Sequence, residues 1–168
     1  MIGVPFELSY DDNNPLDQVE DLARQKGWRL SRHDTGSVDI ILNGQKADFQ
    51  VSMEWQEEFS ALLVACSIPL EIVHENSDLA VDAMERINSN MWLGHFDLSN
   101  QGKYPTFRHT LLLRMIPAGI AVDLIADTLE IALAECNRFY AVFQLARAGD
   151  ERLHDELDGA TFETVGEA

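Results

Sequence analysis

The chain has 168 residues, 46% of them apolar, enough for one domain with a hydrophobic core and too apolar for wholesale disorder. Twenty-nine acidic against twelve basic residues give a net charge of −17, which repels phosphate backbones and anionic lipid surfaces and argues against nucleic-acid and membrane partners. Residues 1–27 and 148–168 supply −10 of that charge, so the sequence reads as one domain with a core of about 15–149 between mobile acidic ends, 1–13 and 150–168.

Asn14-Pro15 is a cap residue followed by proline at the first helical position. Leu16, Val19, Leu22 and Ala23 then form an apolar stripe that Gly27 stops, which predicts a first helix. From Trp28 the period changes to two. A short strand runs to Arg32, Asp34-Thr35-Gly36 turns the chain, and Val38 to Leu42 forms a second strand. Asn43-Gly44 signals a two-residue hairpin turn that pairs Leu42 with Gln45, Ile40 with Ala47 and Val38 with Phe49. The apolar face continues through Val51, Met53 and Trp55, with Asp39, Asp48, Gln50, Ser52 and Glu54 on the other side.

A fourth strand, Phe59 to Ile68, is apolar on both faces, as a doubly covered strand would be. Ser77 caps a helix over residues 78–90 with Ala80, Ala83, Met84 and Ile87 in register. Strands over 92–99 and 105–115 follow, joined at Asn100-Gln101-Gly102-Lys103, and Gly94 within the first marks a bulge or a close backbone approach. Pro117-Ala118-Gly119 breaks the chain before a long helix over 120–147, with Ile125, Leu129, Ala132, Cys136, Phe139 and Phe143 on one face. Residues 150–168 are expected to add a short helical turn and then fray. The order α-β-β-β-β-α-β-β-α with tight hairpin links predicts an α+β domain, an antiparallel sheet packed against helices.

Cys66 and Cys136 each sit in an apolar run and read as buried, reduced thiols. No leader-like start and no apolar stretch of about 18 residues is visible, so a cytoplasmic location is expected. His95, Asp97 and His109 resemble a two-histidine, one-carboxylate metal triad. The apolar pattern argues against it. If Phe96 and Leu98 face the core with Phe107, Leu111 and Leu113, His109 points inward while His95 and Asp97 point outward with Arg108. Asp97 is then an ion partner of Arg108. No nucleophile motif, paired-cysteine motif or phosphate-binding glycine loop is found, so no catalytic residue, metal or cofactor is expected. A cryptic metal-dependent site at His95, Asp97 and His109 is the remaining enzymatic reading.

Binding is the better-supported role. Leu62, Val64, Cys66 and Ile68 are read as the outer face of their strand, with Leu112 on the outer face of its own. Leu62, Val64, Ile68 and Leu112, with Trp92 and His95 beside them, are the candidate interface for a protein partner or a homodimer, unless the tail covers them. An exposed strand edge would also permit strand addition.

The stretches Met91–Leu98 (MWLGHFDL) and Phe107–Arg114 (FRHTLLLR) resemble the YbjN family of putative bacterial sensory transduction regulators. Ala61–Cys66 (ALLVAC), Ala83–Asn88 (AMERIN) and Glu135–Tyr140 (ECNRFY) support the resemblance, which runs from about Pro15 to Gly149. It implies a fold similar to type III secretion chaperones, makes a homodimer plausible, and supplies no catalytic residues. The expected function is therefore a non-enzymatic regulatory or adaptor protein, with a chaperone for extended or secreted segments as the alternative.

Overall fold

A computed structural model describes residues 14–99 and 103–162. The expected lead at 1–13, the turn residues 100–102 and the end of the acidic tail lie outside the described residues. Among these residues, four α-helices and six strands follow in the order α1 (Pro15–Lys26), β1 (Arg29–Arg32), β2 (Ser37–Asn43), β3 (Asp48–Gln56), β4 (Ala61–Ser67), α2 (Ser77–Asn90), β5 (His95–Ser99), β6 (Tyr104–Leu112), α3 (Ala118–Arg147) and α4 (Leu153–Phe162). The strands form one antiparallel sheet in the order β1-β2-β3-β4-β6-β5, so β6 inserts between β4 and the edge strand β5.

Local chemistry sets the boundaries. The Asn14 side chain accepts a hydrogen bond from the Leu16 N–H at 3.0 Å, and Gly27 closes α1 in the left-handed region. In the next turn, the Asp34 carboxylate accepts from the Ser37 hydroxyl at 2.9 Å and the Gly36 N–H at 2.7 Å. Those two bonds hold its pKa below the ordinary carboxylate value. Asn76, rather than Ser77, stands at the N-cap position of α2, and its side-chain amide donates to the Arg147 carbonyl at 3.0 Å. That bond ties the start of α2 to the end of α3.

The β2–β3 hairpin differs from the expected register. Leu42 pairs with Phe49, Ile40 with Val51 and Val38 with Met53, across a four-residue connection over residues 44–47. The shift is an even number of residues, so every apolar side chain keeps its face, and Val38, Ile40, Leu42, Phe49, Val51 and Met53 are all buried. The connection folds down on Phe49. A β-carbon on Gly44 would lie 2.3 Å from that ring, and the Gln45 N–H donates to Asn137 of α3 at 2.9 Å. Contact with α3 and Phe49 thus overrides the local two-residue turn.

The core lies between one sheet face and the layer of α1, α2 and α3. Phe96 packs on Phe107, Phe139 and Phe143 with ring centroids 5.8, 5.9 and 5.3 Å apart, joining β5, β6 and α3. The six α3 positions expected on its inner face, Ile125 to Phe143, are all buried. Residues 150–162 are not a frayed extension. Leu153, Leu157 and Ala160 of α4 are buried against α2 and α3, Arg138 donates to the Ala160 carbonyl at 3.1 Å, and Arg86 pairs with Asp158. Helix α4 therefore caps the helical layer, and among the described residues the other sheet face is left open.

Candidate functional site

The open sheet face presents alternate residues of β2 to β6. A trough of about 910 Å³ runs over it, lined among others by Asp39, Gln50, Ser52, Leu63, Ser67 and Arg108. Its lining mixes apolar side chains with polar ones, several of which pair with each other. Asp39 accepts from Gln50 at 3.1 Å and lies 2.8 Å from the His33 ring nitrogen. Burial alone would raise the Asp39 pKa, but its bonds with Ser52, His33 and Gln50 outweigh that and hold it low. Ser67 and Ser99 both share hydrogen bonds with the Thr106 hydroxyl. These groups spend their hydrogen bonds on one another.

The six candidate interface residues separate into three environments. Leu62, Val64 and Ile68 are not on the open face. They point into the core with relative exposures of 0–2%, as does Cys66. Pairing with β3 orients the strand. Leu62 lies opposite Trp55, Val64 opposite Met53 and Cys66 opposite Val51, while Leu63 and Ala65 lie opposite Glu54 and Ser52. With apolar residues on both faces, β4 offers no alternation of its own to choose between them. The polarity of its partner β3 is the sequence signal that orients it.

Leu112 does stand on the open face, opposite Ala61, and is 71% exposed. His95 is exposed and lines the trough. Trp92, 79% exposed, instead borders a small hollow of about 60 Å³ on the helix side with Met91, Arg138 and Phe139.

The histidine–aspartate constellation is divided between faces. Phe96 pairs with Phe107, so His95 and Asp97 lie on the open side with Arg108, whose guanidinium nitrogen is 2.8 Å from the Asp97 carboxylate. His109 pairs with Val64 on the opposite side and is half-buried. Burial, then the charge of His95, lowers its pKa below 6.5. Among the described residues, no group of three or more histidines, cysteines and acids is placed to hold a metal ion. Nor is any helix there long and apolar enough to cross a membrane.

The two thiols meet in the core, Sγ to Sγ 3.6 Å apart, both reduced. The hydrogen bond to Cys66, then burial, pushes the Cys136 thiol well above its ordinary pKa, so it is not a thiolate nucleophile.

Beyond Leu112 the surface changes character. Phe59, Leu63, Met115, Ile116 and Ile120 are exposed, each in or within a few residues of two turns, β3–β4 and β6–α3. The Leu113 N–H donates to the Ser60 carbonyl at 2.8 Å, which brings the β3–β4 turn against the β6–α3 turn. Periodicity within elements does not reveal this cluster, because most of its members lie in turns. The available signal was the apolar Met115-Ile116-Pro117 in a connection that would ordinarily be polar.

Residues 15–145 match the YbjN family, described as "Putative bacterial sensory transduction regulator". The chain belongs to this family. The match covers the sheet and α1 and α2 entirely, ends within α3, and leaves α4 outside. No curated protein and no solved structure matches this YbjN-family chain.

Proposed function

We propose that this YbjN-family regulator works by binding another protein, in the cytoplasm, rather than by catalysis. The observation that carries the reading is the group of large apolar side chains at the end of the open face. Leu112 and Met115 are 71% and 74% exposed, close along the chain to the exposed Ile116 and Ile120, and the Leu113–Ser60 hydrogen bond brings the turn carrying Phe59 against them. A chain with a well-filled core has no folding use for such side chains in water, and contiguous exposed apolar surface commonly marks a contact site.

The alternative of a chaperone adding an extended client strand has less support. At the β5 edge the Asn88 side chain donates to the Phe96 carbonyl and accepts from its N–H, at 2.9 and 2.7 Å, so the middle of that edge is occupied. The β1 edge is four residues long and carries Arg29 and Arg32, a short charged edge of the kind that discourages strand addition.

The test is affinity capture from the native lysate with the wild-type chain and with Leu112→Asp and Met115→Asp. Both positions are exposed, so the variants should keep the wild-type circular dichroism and melting behaviour. A stoichiometric protein partner lost by both variants supports the reading. Identical captured proteins for all three chains would refute it.

A further inference from the structure

We infer that the apolar end of the sheet receives a basic segment of a partner protein, whose hydrophobic side chains cover Phe59, Leu112, Met115 and Ile120 while its lysines or arginines meet the surrounding carboxylates. The inference rests on the binding role proposed above and adds the chemistry of the partner.

The apolar centre is held by unusual backbone. Among the described residues, Ser60 (φ 49°) and Met115 (φ 60°) are the two non-glycine residues in the left-handed region, and they lie in the two turns that adjoin through the Leu113–Ser60 hydrogen bond. A side chain in that region is disfavoured, and glycine would relieve it. At position 115 the chain instead displays a methionine to solvent, an adaptable side chain suited to contact surfaces. Local strain of this kind concentrates where a surface is shaped for binding.

The rim supplies the sign of the partner. Glu57 and Glu58 directly precede Phe59, Glu54 pairs across the sheet with Leu63, and Asp123 lies one helical turn beyond Ile120. Against these four carboxylates, Arg114 is the one basic residue in segments 54–63 and 112–123. Glu57, Glu58 and Asp123 have no cationic partner among the described residues. A second copy would bring the same carboxylates and another −17 to the interface, and an anionic membrane is repelled in the same way. A basic segment is attracted over long range and pairs with the rim on arrival.

The probe is a labelled peptide of about 18 leucines and lysines, about five helical turns, with the leucines on one face. Its binding is followed by fluorescence anisotropy beside a peptide in which every lysine is replaced by glutamate. The lysine peptide should bind and weaken with added salt. Leu112→Asp or Met115→Asp should weaken it by about tenfold or more. The double variant Glu57→Gln, Glu58→Gln should weaken it by about threefold and flatten the salt dependence.

Equal binding of the glutamate peptide would overturn the inference. So would lysine-peptide binding indifferent to Leu112→Asp and Met115→Asp, which would mean diffuse attraction to an acidic chain. A wild-type dimer in sedimentation that Leu112→Asp converts to monomer would assign the surface to a second copy and overturn it as well. A lysate partner lost on Leu112→Asp, with no binding of the lysine peptide, would discard the basic segment and leave the binding role standing.

Discussion

Gly94 leads into β5 at φ +70°, and a β-carbon there would meet the Phe107 ring at 2.4 Å and the Arg108 carbonyl at 2.9 Å. Its place in a strand pattern signalled a close approach, and both the torsion and the contact account for glycine. Gly94→Ala should cost about 2–4 kcal/mol, combining left-handed strain with overpacking against a buried ring, measurable by urea unfolding. Gly159 in α4, with open space around its Cβ position, provides the contrast. There alanine should be neutral or stabilise by about 0.5–1 kcal/mol. His109 makes the pH prediction. Its folded pKa is depressed below 6.5 by burial and then by His95, so as pH falls through 6.5 the unfolded chain takes the proton first. Stability from this group is therefore full above pH 6.5 and declines as pH drops toward the folded pKa. Unfolding free energies of wild type and His109→Gln, measured from about pH 8 to about pH 5, should converge or cross on acidification, the wild type losing more. Parallel curves would contradict the assignment.

At the scale of elements, periodicity located nearly everything but did not orient everything. The stripes of α1, α2 and α3 each predicted their buried faces because water penalises only one way of turning an amphipathic helix. The β2–β3 hairpin kept its faces despite its changed register, because slipping by an even number of residues is invisible to a period of two. The expected orientation of β4 was reversed, since its own two faces are alike in hydrophobicity. Helix α4 exceeds the expected short turn for a different reason. Its acidic surface reads as a solvated tail, while the two leucines and the alanine that dock it are few. Leu157→Ala should cost about 2–4 kcal/mol in denaturant unfolding, as for a buried core leucine; a frayed tail would give almost no change.

At the scale of the whole fold, stacking helices on one face of a six-stranded sheet leaves the other face free among the described residues. Asp39, His33, Gln50, Ser67 and Thr106 on that face pair among themselves, and the surface proposed for binding lies at the end where two turns meet. The acidic sequence by itself disfavours anionic partners, because net charge is additive along the chain and needs no knowledge of the fold. The α+β class, the antiparallel pairing, the inner face of α3 and the separation of His95 and Asp97 from His109 were likewise legible. Each follows from local turn chemistry or from one-sided burial. The side of the sheet that β4 presents, the insertion of β6 beside it, the docking of α4 and the cluster of Phe59, Leu112, Met115 and Ile120 were decided only by tertiary structure. They depend on which segments, distant in sequence, pack together, and a residue's own neighbours along the chain carry little information about that.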